Sequence, residues 1–139
     1  EDHMAGAADE IERGLDLDGI EGPQRTIRYV KHVEDGAEEL WHDGCLVGSF
    51  ALELAETHPE IRETVSRLLR GFQDHMEKVF EPLCQAHRGP DTPSPRELAE
   101  QFLAVIEGGV VLSRAHRDRR YVPQAIRCFR RYLESLARS

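Results

Sequence analysis

The sequence predicts an all-α protein, a bundle of five to six helices around one core. Apolar residues recur at three- and four-residue steps through several long stretches, which is the helical pattern. No stretch alternates between apolar and polar residues as a half-buried strand does. Prolines and glycines fall between the helical stretches, where helices begin and end. A chain of 139 residues is the size of a single domain.

The first long helix is predicted over residues 23–42. Gly22-Pro23 is a start signal, because proline is well tolerated in the first turn. An apolar stripe then runs from Ile27 to Trp41, and Asp43-Gly44 ends the helix.

Residues 45–56 are predicted to form a short helix buried at the centre of the bundle. Nearly every side chain from Cys45 to Ala55 is apolar or small, and a helix that is apolar on all faces is usually buried. The run is too short to span a bilayer, which needs about 20 apolar residues. His58-Pro59 closes this helix, because the residue before a proline is disfavoured in helical conformation.

Two longer helices are predicted over residues 59–86 and 95–116. The first has an apolar stripe from Ile61 to Leu83 with a possible kink at Pro82. The second opens with a capping box formed by Ser94 and Glu97. Residues 118–123 are predicted to turn the chain into a last helix with an apolar stripe over residues 125–136.

Residues 1–22 are predicted to lie outside the bundle. Residues 1–4 read as a cloning remnant, so His3 is excluded from any site. Residues 5–22 are expected to hold one short helical turn near residues 9–13 and to be poorly ordered.

Charge and cysteine content narrow the class of protein. The formal net charge of −8 disfavours nonspecific nucleic-acid binding, which depends on Lys and Arg. Eight arginines follow Leu112, and they form either a phosphate-contacting patch or, as we favour, a solvated face that pairs with acidic helices. Three widely spaced cysteines indicate a reducing compartment, and we expect a cytoplasmic protein.

No catalytic constellation is apparent, so we predict neither enzyme activity, a metal site nor a cofactor. The Glu39-x-x-His42 spacing that di-metal bundles use twice occurs here once. Glu107 lies in a nearly apolar helix and is either a polar group facing a pocket or the partner of an arginine across an interface. For Glu53 a capping or interhelical hydrogen bond is favoured over a ligand contact.

Three segments in this order resemble the C-terminal ligand-sensing domain of TetR/AcrR-type transcriptional regulators: G-C-L-V-G-S-F-A-L-E-L-A-E, then H-P-E-I-R, then L-A-E-Q-F-L-A-V-I-E-G-G-V-V-L-S-R-A. The resemblance covers roughly residues 23–137, so residues 1–22 would be the remnant and a shortened connecting segment, and 23–139 the sensing and dimerisation domain. The DNA-reading helix-turn-helix of that family is not found in this sequence.

The resemblance implies a ligand pocket among the helices at residues 23–42, 45–56 and 59–86 and the start of the helix at 95–116. The aromatic and thioether residues there are either plain core or pocket lining. The predicted lining residues are Trp41, Cys45, Ser49, Phe50, Phe72, His75, Met76, Val79, Phe102 and Ile106.

The resemblance also implies a homodimer in which the last two helices pair with those of a second subunit. The predicted interface residues are Glu107, Val110, Val111, Arg114, Ile126, Phe129 and Leu133. Gly108 and Gly109 would allow close helix approach.

The implied function is the effector-sensing domain of a repressor that releases DNA when a small, largely apolar or amphipathic ligand binds. Operator DNA would be bound only through the N-terminal reader, and no membrane is implied. The alternative is a standalone helical interaction module with a filled core and no ligand.

Overall fold

A computed structural model describes residues 8–138, which form six helices and contain no strand. The prediction of an all-α helical bundle is confirmed. The helices are α1 at residues 8–12, α2 Pro23–Leu40, α3 Leu46–Leu54, α4 Pro59–Ala86, α5 Pro95–His116 and α6 Tyr121–Arg138. The proposed cloning remnant at residues 1–4 lies outside the described residues.

Four helices enclose the core: α2, α4, α5 and α6 pack pairwise around it. At its centre three aromatic rings meet. Phe80 lies edge-on to Phe102 and Phe129, with centroids 5.7 and 5.8 Å away, and Phe102 stacks on Phe129 at 5.4 Å. Such ring pairs stabilise the fold beyond the area they bury.

The helix ends follow the local sequence signals. The Ser94 hydroxyl accepts from the Glu97 amide at 3.1 Å, and the Glu97 carboxylate accepts from the Ser94 amide at 3.0 Å, which confirms the capping box. Helix α4 continues through Pro82 to Ala86. Helix α6 begins at Tyr121, before the predicted start, because Pro123 then falls in the first turn, where its missing N–H is not needed.

A buried ion network joins α2 to α6. The Glu34 side chain is only 3% exposed. Its carboxylate accepts from Arg130 at 2.7 Å and from Arg127 at 3.2 Å. Burial disfavours the ionised carboxylate, but the two arginines outweigh it and lower the pKa of Glu34. Arg127 and Arg130, two of the eight arginines after Leu112, therefore pair with an acidic residue of another helix, as predicted for this arginine-rich face.

Residues 5–22 were expected to be poorly ordered, but the described part of this segment packs firmly on the bundle. Ile11 is buried in the core. The Glu12 carboxylate accepts from the Tyr29 hydroxyl at 2.9 Å and contacts His75 Nε2 at 2.6 Å. Arg25 donates to the carbonyl oxygens of Leu17 and Ile20. These contacts hold residues 11–20 against α2 and α4, although residues 5–7 lie outside the described part of the chain.

Helix α3 is not buried, contrary to the prediction. None of its residues is buried, and Leu46 and Leu52 are 69% and 77% exposed. It packs mainly on α4, at the edge of the bundle. The core is already filled by the stripes of the four longer helices, so α3 has only one side to bury.

Candidate ligand-binding site

An apolar cavity of about 120 Å³ lies beneath the start of α3, between α4 and α5. The C-terminal end of α2 and a residue of α1 close its other sides. The lining residues are Ile11, Trp41, Cys45, Val47, Leu68, Leu69, Phe72, Leu103, Ile106 and Glu107.

Cys45 and Glu107 bring polar groups to this largely apolar cavity. Cys45 is the N-cap of α3, and its Sγ accepts from the Gly48 amide at 3.5 Å. Its thiol is also hydrogen-bonded to the Glu107 carboxylate. Burial raises the pKa of the thiol to about 11, and the neighbouring carboxylate adds to this effect. The thiol therefore stays protonated at neutral pH and is a poor nucleophile.

The Glu107 carboxylate lies against the first turn of α3. A Cβ built on Gly48 would collide with Glu107 Oε2, so glycine allows the carboxylate to lie in this position. Burial raises the pKa of Glu107, and the hydrogen bond with Cys45 offsets part of that increase.

A second contact fixes the turn that leads into α3. The Arg114 guanidinium on α5 donates to the Asp43 carbonyl oxygen at 3.0 Å. Gly44 adopts a positive φ of 86° and packs under the same guanidinium. Helix α5 thus positions the start of α3 through Glu107 and Arg114.

Four of the ten predicted pocket residues line this cavity: Trp41, Cys45, Phe72 and Ile106. Met76 and Phe102 do not, because both are fully buried in the closed core. Ser49 is half-buried and Phe50 is 39% exposed, since both lie on the peripheral α3 rather than inside the bundle.

His75 and Val79 line a different groove, of about 230 Å³, between α4, α2 and the segment that precedes α2. There His75 contacts Glu12, which explains this histidine as a link to the N-terminal segment. The sequence pattern did not separate the two sides of α4, because both carry apolar residues.

Several lining residues were not among those predicted. Leu68, Leu69 and Leu103 belong to apolar stripes that indicated core in general, and Val47 belongs to the run assigned to the centre. Ile11 had no signal, because one isoleucine in a short polar segment shows no periodicity. For Glu107 the sequence left a pocket-facing polar group and an interface partner open, and the residue was counted with the interface; the structure places it on the cavity wall.

The predicted dimer interface needs a similar correction. Val110, Ile126, Phe129 and Leu133 are buried within the chain itself, because the stripes of α5 and α6 pack on each other and on α2 and α4. Of the other predicted residues, Val111 is 51% exposed and Arg114 contacts the loop before α3.

Another surface of α5 and α6 is open and partly apolar. A groove of about 530 Å³ runs between the two helices and is lined by Pro93, Glu97, Leu98, Gln101, Val105, Ala125, Cys128, Phe129 and Tyr132. Helical spacing from Gln101 and Val105 extends the same face to Gly108 and Leu112. We call this the α5–α6 groove.

Residues 8–138 contain no group of three or more His, Cys, Asp or Glu side chains arranged to hold a metal ion. Over the same residues, no helix has the length and apolar content needed to cross a membrane.

The fold is a helical bundle with an apolar cavity at the edge where α3 packs. The sequence model of the tetracyclin repressor-like C-terminal domain matches residues 22–129. The chain therefore belongs to that family, as the sequence resemblance predicted. No curated protein and no solved structure matched the chain.

Proposed function

We propose that this chain is the effector-sensing and dimerisation domain of a TetR-type transcriptional repressor, and that a small, largely apolar ligand binds in the cavity beneath α3. The observation that carries the proposal is the cavity itself, which touches both the domain core and the N-terminal segment. An apolar cavity of about 150 Å³ is large enough to bind benzene. A cavity of 120 Å³ accepts a group slightly smaller than that. A larger effector requires α3 to move outward.

Ile11 supplies the connection between ligand and DNA affinity. It lines the cavity, and Glu12 beside it holds the segment to Tyr29 and His75. A ligand that displaces Ile11 weakens the packing of residues 8–22, which lead toward the N-terminus. Couplings of this kind are typically about 1–3 kcal/mol. Operator binding itself belongs to an N-terminal reader, so this chain alone is expected not to bind operator DNA.

The α5–α6 groove is the proposed homodimer surface. It combines a small residue, Gly108, with the exposed apolar side chains of Leu112 and Tyr132. Small residues allow helices to approach closely, and exposed apolar surface marks interaction sites. Of the interface residues expected from sequence, Phe129 lines this groove. Val110, Ile126 and Leu133 are buried within the chain and do not line it.

Thermal denaturation in the presence of small apolar compounds tests ligand binding. A ligand at 100 times its dissociation constant stabilises the fold by about 2.7 kcal/mol. Leu68→Phe narrows the cavity and should abolish the stabilisation. Leu46→Phe makes the same change on an exposed part of α3 and should not. The proposal fails if no compound stabilises the protein, or if both variants respond equally.

Sedimentation equilibrium tests the dimer. Leu112→Glu should shift the protein toward monomer, because it places a charge in the proposed interface. Leu52→Glu is the matched control, since Leu52 is exposed on α3, outside the groove. Equal dimer affinity in the two variants would rule out the groove as the interface.

A second candidate function is a helical interaction module without a ligand, and the apolar exposure of α3 favours it. Leu46, Phe50 and Leu52 offer a surface for a partner protein. On this alternative, apolar compounds leave the denaturation temperature unchanged, and substitutions at the cavity do not alter partner binding.

A further inference from the structure

The Glu107 carboxylate is the feature of the cavity that its apolar lining does not explain. Glu107 is half-buried, and withdrawing a carboxylate from water is costly unless it is paired with a cation and hydrogen-bonded. The chain meets this requirement at Glu34, which two arginines contact at 2.7 and 3.2 Å. Among the ion pairs of residues 8–138, none includes Glu107.

The groups around Glu107 supply only part of what a carboxylate accepts. Its hydrogen bond is with the Cys45 thiol, which is a weak donor. The start of α3 also faces the carboxylate, and the positive end of a helix dipole favours an anion there. Arg114 lies two turns further along α5, but its guanidinium donates to the Asp43 carbonyl. An ionised carboxylate has about four acceptor positions, and within residues 8–138 the Cys45 thiol is the side-chain donor provided to it.

We propose that the ligand is a small primary or secondary amine, whose ammonium group pairs with Glu107 while its apolar body fills the cavity. This inference rests on the proposed function and narrows the class of effector. Trp41 and Phe72 line the same space, and aromatic faces also attract a desolvated cation. The volume of about 120 Å³ is slightly smaller than the cavity that binds benzene, so an amine that carries a six-membered ring requires a small outward movement of α3.

Benzylamine and benzyl alcohol form a matched pair of probes for this proposal. They have nearly the same shape, and at neutral pH only the amine is charged. Trp41 is the only tryptophan of the chain and lines the cavity, so its fluorescence reports occupancy. We expect benzylamine to bind at least tenfold more tightly than benzyl alcohol.

Two charge-neutralising variants identify the carboxylate responsible. Glu107→Gln should remove the preference for the amine, while Glu53→Gln, an equal change of charge at an exposed position on α3, should retain it. If Glu107→Gln does not fold, the ratio of the two affinities in the unmodified chain decides alone.

The outcomes separate this inference from the function on which it rests. If both probes bind with equal affinity, the cavity is a ligand site but the amine proposal is overturned. The same holds if Glu53→Gln loses the preference as fully as Glu107→Gln does. If neither these probes nor other small apolar compounds bind, the sensing function and the amine proposal fail together.

Discussion

Gly109 of α5 lies directly against Val122 of α6. A Cβ built on Gly109 would be 3.0 Å from the Val122 Cα and 3.3 Å from the Tyr121 carbonyl oxygen. Backbone atoms cannot move aside as a flexible side chain can, so glycine sets the distance between the two helices. The neighbouring Gly108 meets nothing within 4 Å and faces outward.

Gly109→Ala should therefore destabilise the fold by about 1–3 kcal/mol, the usual cost of overpacking a core. Gly36→Ala is the control, because Gly36 lies within α2 with no atom near its Cβ position. That change should stabilise the protein by about 0.5–1 kcal/mol through helix propensity. Urea denaturation measures both, and stabilisation by Gly109→Ala would contradict the close packing.

Glu34→Gln should lower the free energy of unfolding by about 3 kcal/mol at neutral pH, because it leaves Arg130 half-buried without its main anionic partner. The folded-state pKa of Glu34 lies below its unfolded value of about 4.5. Its contribution is thus fully present above pH 4.5 and is lost as pH falls through the lower, folded-state pKa.

Denaturation of both proteins across pH 3–7 checks this prediction, with the range chosen around the ordinary carboxylate values of about 4. The difference in stability should be largest near neutrality and shrink in acid. A difference that stays constant over the whole range would mean that the Glu34 charge is not its source.

Phe102→Ala and Phe50→Ala should have very different effects, although both residues were predicted to line the pocket. Phe102 is fully buried between Phe80 and Phe129, and its truncation should cost about 3–5 kcal/mol. Phe50 is partly exposed on α3, so its truncation should cost well under half as much. Chemical denaturation compares them, and similar losses would place Phe50 in the core.

Glu12→Gln should loosen the segment that precedes α2. The change removes the negative partner of His75 and weakens the hydrogen bond from Tyr29. Hydrogen exchange at residues 8–12 should become faster, while exchange in the middle of α4 stays unchanged. Glu10→Gln is the control, since that side chain is exposed. Equal acceleration by both variants would indicate a general effect of charge.

The helices were predictable because their signals are local. Periodicity, the Ser94 capping box and the prolines at residues 23, 59 and 95 placed α2, α4 and α5 within two residues of their observed ends. What each helix packs against depends on distant parts of the chain. The apolar composition of α3 indicated burial, but composition alone does not show whether other helices of the same chain pack over its apolar side chains.

The candidate site was only partly predictable for the same reason. Sequence patterns identified four of the lining residues, which lie at the end of the bundle that contains the cavity: Trp41, Cys45, Phe72 and Ile106. Met76 and Phe102 belong to equally strong patterns but face the closed core. Ile11 reaches the cavity because of how the N-terminal segment folds back, which no single-residue signal in that segment reveals.

The three thiols differ in accessibility, so their rates of alkylation should differ. Cys128 is exposed, Cys45 is half-buried with a protonated thiol, and Cys84 is buried. In the single subunit, an alkylating reagent should modify Cys128 first, Cys45 at the rate at which α3 moves away from α4, and Cys84 last. Pairing of two subunits through the α5–α6 groove, which Cys128 lines, should slow the reaction at Cys128. The alkylation rate of Cys45 would report how frequently α3 moves away from the cavity, and the measurement needs no substitution.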